Sequence, residues 1–157
     1  MDDGIAEIEK TPIAAILRHV HLEDFVSGPV LLCLTTASEE LDCFEQMFRQ
    51  PMPAVGYAFD ETFVERFKKS IDQNSAIHDG AIVLRRTSPS KPYRVTGFSH
   101  RLIARMDPGL EPTANRGSAY NSCLATSAYE AVDGVYLMSR SWIHHFVGGV
   151  EVATVQL

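Results

Sequence analysis

The segment Ile77-His78-Asp79-Gly80-Ala81-Ile82-Val83-Leu84 places an imidazole and a carboxylate where a chain enters an apolar run. Two readings follow from the residue types. Asp-Gly is a common turn pair, and an aspartate often bonds its own backbone, so His78 and Asp79 can simply close a turn. Alternatively, Gly80 and Ala81 carry almost no side chain and let a planar base or ribose approach the main chain. Asp79 is then free to accept a sugar hydroxyl or to hold Mg²⁺.

Other chemistries find little support. No GxSxG and no CxxC occurs, and Cys33, Cys43 and Cys123 lie in apolar segments, which suits buried fillers better than nucleophiles, thiolate ligands or a disulfide framework. His144 and His145 are adjacent in a strand pattern and must point to opposite faces. His19 and His21, if helical, stand about 200° apart. Neither pair holds one metal. There is no Walker A loop and no GxGxxG.

The 157 residues carry a net charge of −6, unevenly spread. Between residues 81 and 120 seven cations (Arg85, Arg86, Lys91, Arg94, Arg101, Arg105 and Arg116) face two acids, and the remainder of the chain is correspondingly acidic. A basic segment on an acidic protein gathers phosphate groups or forms a solvated hairpin. The acidic total argues against general binding to duplex DNA. No apolar run reaches the roughly 20 residues that span a bilayer, and the acidic start lacks the features of a secretory signal, so no membrane partner and a cytoplasmic location are expected.

The elements that must position these residues follow from periodicity. Residues 5–26 alternate apolar positions at three and four, predicting one or two helices with Pro12 in a first turn. VLLCLTT, from Val30, reads as a buried strand. SEELDCFEQMFRQ, from Ser38, predicts a helix with Ser38 as N-cap and Leu41, Phe44, Met47 and Phe48 on one stripe, ended by Pro51 and Pro53. AVGYAF reads as a strand and DETFVERFKKSI as a helix with Phe63, Val64 and Phe67 inward. After the run that starts at Ile77, TSPSKP is a turn and YRVTGFS an antiparallel return. An irregular loop follows, then a helix from Ser118 to about residue 131 and three strands, GVYLMS, SWIHHFV and VEVATVQL. The fold class expected is α/β: one domain over residues 1–157, with an N-terminal helical segment (1–27) and a core (28–157) built on a mixed, largely central β-sheet flanked by helices on both faces.

IHDGAIVL, a hairpin ending in VTGFSHRL, a long loop, a small-residue helix and AVDGVYLMS together resemble the diadenylate cyclase domain, the family that joins two ATP molecules into cyclic di-AMP. The likeness runs from about Asp60 to Leu157. It is most specific at Asp79-Gly80-Ala81, with Gly97 and Asp133 as further anchors. The resemblance implies that Asp79 matches the acid that activates a ribose 3′-hydroxyl with metal, Mg or Mn. It also places His78, Asp79, Gly80 and Ala81 at base and ribose, Gly97 and Phe98 along the adenine, and Arg116, Asn121 and Ser122 near phosphate. Phe98 is either a stacking platform or core.

Two family features are altered. The Thr-Arg-His-Arg segment before the helix falls on Tyr120-Asn121-Ser122-Cys123, or in a gapped pairing on Arg116, Gly117 and Ser118. The Ser-Glu-Glu after the next strand becomes Ser139-Arg140-Ser141. Each missing donor aimed at developing charge removes about 10²–10³ in rate. The implied function is therefore a sensor that binds an adenine nucleotide or cyclic dinucleotide without turnover, needs no cofactor to bind, and reports to a fused or associated effector or through a homodimer. The alternative is an active cyclase working as a homodimer. A third reading takes the fold as an interaction module in which Asp79 only caps a turn.

Overall fold

The computed structural model describes residues 12–105, 109, 112 and 114–157. The expectations that fall on residues 1–11 and on most of 106–113 lie outside the described residues. Element order is α1 (Pro12–Glu23), β1 (Val30–Thr36), β2 (Phe44–Gln46), α2 (Phe63–Gln73), a 3₁₀ turn (Ser75–His78), β3 (Ala81–Arg86), β4 (Arg94–Leu102), α3 (Gly117–Ser127), β5 (Val132–Met138), β6 (Trp142–Val147) and β7 (Val150–Gln156). The strands form one seven-stranded sheet in the order β2-β4-β3-β1-β5-β6-β7. β1 and β3 are parallel and the other neighbours antiparallel, so the sheet is mixed and the fold is α/β.

The most apolar runs take the middle of the sheet because both of their faces are covered. On one face Leu32 and Leu34 of β1, Ile82 and Leu84 of β3 and Tyr136 of β5 meet Leu17 and Val20 of α1 and Phe63 and Phe67 of α2. On the other, Cys33, Val83 and Val135 meet Tyr120, Cys123 and Leu124 of α3, together with Cys43 and Phe44. All three cysteines are buried and unpaired, as apolar fillers are. Burial pushes the Cys43 thiol up to about 11 and that of Cys123 up to about 12.

α2 forms as the stripe predicts. Asp60 Oδ1 accepts from the Thr62 amide at 2.9 Å just ahead of its first turn. Phe63 and Phe67 then lie in an aromatic column that runs from Phe59 to Phe98, with successive centroids 4.8, 5.3 and 6.1 Å apart.

The stretch from Ser38 to Gln50 is not a helix. Phe44–Gln46 instead pairs with β4, Phe44 opposite Leu102 and Gln46 opposite His100. The edge of β4 offers unpaired backbone groups, and pairing there buries Phe44 while leaving Phe48 83% exposed, whereas a helix would have buried both on one stripe. AVGYAF likewise forms no strand. It runs extended beside the start of β4, held by Gly56 N to Val95 O (2.7 Å), Val95 N to Tyr57 O (2.9 Å) and an Ala58–Arg94 bridge.

The two adjacent histidines of β6 do face opposite ways. His144 Nδ1 lies 2.7 Å from Glu151 Oε1, and the His145 ring stacks on Tyr136 with centroids 4.1 Å apart. Burial pulls His145 down to about 4 from its ordinary 6.5, and it lowers His100 too, against an opposing pull from Glu40. A histidine held neutral when folded lets the unfolded chain bind protons first. The contribution of His145 to folding stability is therefore present above about pH 6.5 and is lost as pH drops from 6.5 towards 4. With partial solvent screening the loss at His145 is on the order of 1–2 kcal/mol. Denaturant unfolding at pH 7 and pH 4.5 should show it, and His145→Phe should flatten the dependence.

Candidate functional site

Around the entry to β3 the chain closes a turn, as one of the two local readings of His78-Asp79-Gly80 expects. Asn74, not Asp79, supplies the cap of the turn: its Oδ1 accepts from the Ala76 amide at 3.1 Å. The Asp79 amide closes the turn on Ala76 O at 3.1 Å. Its carboxylate, 66% exposed, does not fold back on the main chain and accepts from Arg49 Nη2 at 3.0 Å. Arg49 is in turn fixed by donating to Ala76 O at 3.2 Å. The His78 Nδ1 pairs with Ser75 O, and its ring rests beside Gly28.

In front of Asp79 lies a cavity of about 450 Å³. One wall is His78, Asp79, Gly80 and Ala81, and the opposite wall is the first turns of α3, with Ser118, Ala119 and Ser122. Gly28, Pro29 and Leu31 at the start of β1, His100, Arg101 and Leu102 at the end of β4, and Met47 complete it. Four separate stretches of chain thus converge on the segment singled out from sequence. The N-terminal end of α3, the positive end of its dipole, borders the cavity through Ser118, Ala119 and Ser122, an arrangement suited to an anion. Beyond Gly28 and Pro29 lies a second cavity of about 340 Å³, where His21 and Asp24 meet Ser139 and Arg140.

The bareness of Gly80 is required by the fold. Its φ is +88°, and a Cβ there would stand 2.6 Å from Met47 Cε, 2.9 Å from Ser99 C and 3.0 Å from His100 O. The crowding comes from a bulge in β4: Gly97 faces Val83 and His100 faces Ala81, so three steps on β4 match two on β3. Ser99, at φ +54°, absorbs the extra residue and donates from Oγ to Ile77 O at 3.2 Å.

The same bulge corrects the placement of Gly97 and Phe98 along an adenine. The His100 ring lies over Gly97, where a Cβ would come 2.3 Å from its Nε2. Phe98 is wholly buried on the other face against Phe67, with no open space before its ring. Arg116 and Asn121 reach the first turn of α3 but do not line the cavity. The Arg116 guanidinium sits 5.0 Å over the Tyr120 ring, and Asn121 Nδ2 donates to Gly117 O at 3.1 Å. Ser122 does line it. Asp133 is a structural anchor that accepts from Thr36 Oγ1 at 2.5 Å and Tyr93 Oη at 2.6 Å.

Sequence reasoning missed Arg49, Met47, His100 and Gly28-Pro29. Arg49 carried no local signal, since its expected setting was a helix; Gly28-Pro29 showed only as a break in pattern. Among the described residues no group of three His, Cys, Asp or Glu is placed to hold a metal ion. Asp79 already has a cation in contact, so these residues by themselves do not fit Mg or Mn.

No protein-family model matches the chain, and no curated protein matches it. Among solved structures, it is similar to a structural-genomics crystal structure described as a hypothetical membrane spanning protein from Bacillus cereus, with a TM-score of 0.59 and 13% identity over 93% of this chain. At that identity the likeness is one of fold alone. This chain spans 62% of the length of that one. No helix among the described residues here is long and apolar enough to cross a membrane.

Proposed function

We propose that this chain is a diadenylate-cyclase-like domain that binds an adenine nucleotide or a cyclic dinucleotide in the cavity before β3, without turning it over. The observation that carries this reading is the 450 Å³ cavity with Asp79-Gly80-Ala81 on one wall and the start of α3 on the other. That volume lies in the range of small-molecule sites. Asp79 accepts a ribose hydroxyl, Ser118, Ser122 and the amides of α3 take phosphate oxygens, and the apolar surface of Leu31, Met47 and Leu102 receives the base. Met47, with a flexible and polarisable side chain, suits contact with a planar ring.

Two features favour binding over turnover. The cations that would neutralise a triphosphate are missing from the lining of α3, and each absent donor withdraws about 2.7–4 kcal/mol from a transition state. Asp79 is also engaged by Arg49, which opposes its use as a base or metal ligand. A phosphodiester carries less charge than a triphosphate and is served by hydroxyls and amides.

Calorimetric titration with ATP and with cyclic di-AMP tests the reading. Heat is expected with at least one of them, and Asp79→Asn should weaken it roughly tenfold through loss of a charge-assisted hydrogen bond. No heat with either ligand up to about 1 mM, an affinity below ordinary specific binding, overturns it. Incubation with ATP and Mn²⁺ tests the second half: a cyclic product that disappears in Asp79→Asn would make the protein an enzyme.

A further inference from the structure

We propose that the β3–β4 hairpin carries a second site, for a multivalent oxyanion of the condensed-phosphate class. It lies about 13 Å further along β3 than the cavity at Ala81 and does not rest on the function proposed for that cavity. Arg85 and Arg94 are direct partners across the antiparallel pair. Cross-strand partners stand about 5 Å apart at Cβ, and like charges directly opposite are destabilising unless something neutral or negative separates them. Both arginines border a hollow of about 480 Å³ together with Arg86, Lys91 and the hydroxyl-bearing Thr87 and Thr96, and no acid lines it.

These cations are not equally compensated. Arg86 is structural: it lies 3.7 Å from Asp133, donates to Thr36 Oγ1 at 2.9 Å and covers the Tyr93 ring. Arg94 donates to Gly56 O at 2.6 Å, a neutral acceptor that leaves its charge in place. The side chains of Arg85 and Lys91 have no hydrogen bond or ion pair among the described residues. Three uncompensated positive charges thus surround one hollow on a chain whose total is −6. A solvated hairpin tip would spread such charges apart. Here strand pairing fixes two of them face to face, and two guanidinium forks match the several oxygens of linked phosphates better than a single-charge ion.

The test is calorimetry with inorganic tripolyphosphate in roughly 50 mM salt, low enough for surface charges to act. One tripolyphosphate per chain is expected, with Arg85→Gln and Lys91→Gln each weakening it about tenfold or more and Asp79→Asn leaving it unchanged. Orthophosphate should bind far more weakly. The thermal midpoint of Arg85→Gln without ligand should equal or exceed that of the unchanged protein, since a repulsion is removed, which separates lost binding from lost folding. ATP that displaces tripolyphosphate from Asp79→Asn makes a nucleotide tail an acceptable source of the phosphates; failure to displace assigns the site to the inorganic chain. The proposal is overturned by no binding at about 1 mM, by full affinity in Arg85→Gln, by equal loss in Asp79→Asn, or by an oligonucleotide binding in preference to tripolyphosphate.

Discussion

Phe98→Ala is expected to remove roughly 3–5 kcal/mol of folding stability, the range for deleting a fully buried phenylalanine ring. Phe98 has no exposed surface and stacks on Phe67, 6.1 Å between centroids, at the end of the aromatic column that fixes α2 to the sheet. Its surroundings cannot close over the hole: Phe67 is held between Phe63 and Phe25, and the backbone at Phe98 is pinned by Gln46 Nε2, which donates to its carbonyl at 3.0 Å. For a domain of this length the thermal midpoint should fall by about 6–20 °C. Urea unfolding measures the change directly. Because the ring faces away from the cavity before β3, nucleotide affinity should be unaltered at a temperature where the variant is still folded. The opposite pattern, affinity lost and stability kept, would restore Phe98 as a surface on which adenine stacks.

The reason that ring was hard to place from sequence is general to this molecule. Alternation along YRVTGFS identifies a strand, but the register slips twice, between Val95 and Gly97 and again between Gly97 and His100; the first slip brings Phe98 to the same face as Val95, against simple alternation. The central strands were legible because their signal is local: VLLCLTT and AIVL are apolar throughout and take the doubly covered positions. α2 was legible for the same reason, its phenylalanines falling at helical spacing. The segment from Ser38 to Gln50 was not, since its pattern satisfies a helix and only the edge of β4, more than fifty residues later, draws Phe44–Gln46 into the sheet. Arg49 was lost with it. Within the candidate site, Asp79-Gly80 could be recognised as a turn before an apolar strand, and Ser122 as part of a helix facing it. The side on which the missing Cβ of Gly80 lies depends on the bulge, which no local pattern encodes.

Gly80→Ala provides the strongest check on that arrangement, and it should destabilise the protein by about 2–4 kcal/mol. Part is conformational: holding an L-residue in the left-handed region costs roughly 1–2 kcal/mol. The rest is packing. Met47 Cε, 2.6 Å from the added carbon, can swing aside, but Ser99 C at 2.9 Å and His100 O at 3.0 Å are backbone atoms of a bulge already tied to Ile77, so relief requires moving β4 against β3. Gly56 separates the two contributions. It has φ +98° with nothing within 4 Å of an added carbon, so Gly56→Ala should show the conformational part alone. The difference in denaturant unfolding between the two variants then measures how rigidly the bulge is held. A clear excess for Gly80 means that Asp79 is presented to the cavity by a fixed support, with its carboxylate positioned before any ligand arrives. Equal losses would mean that β4 yields easily and that the wall formed by Asp79, Gly80 and Ala81 is set by its occupant.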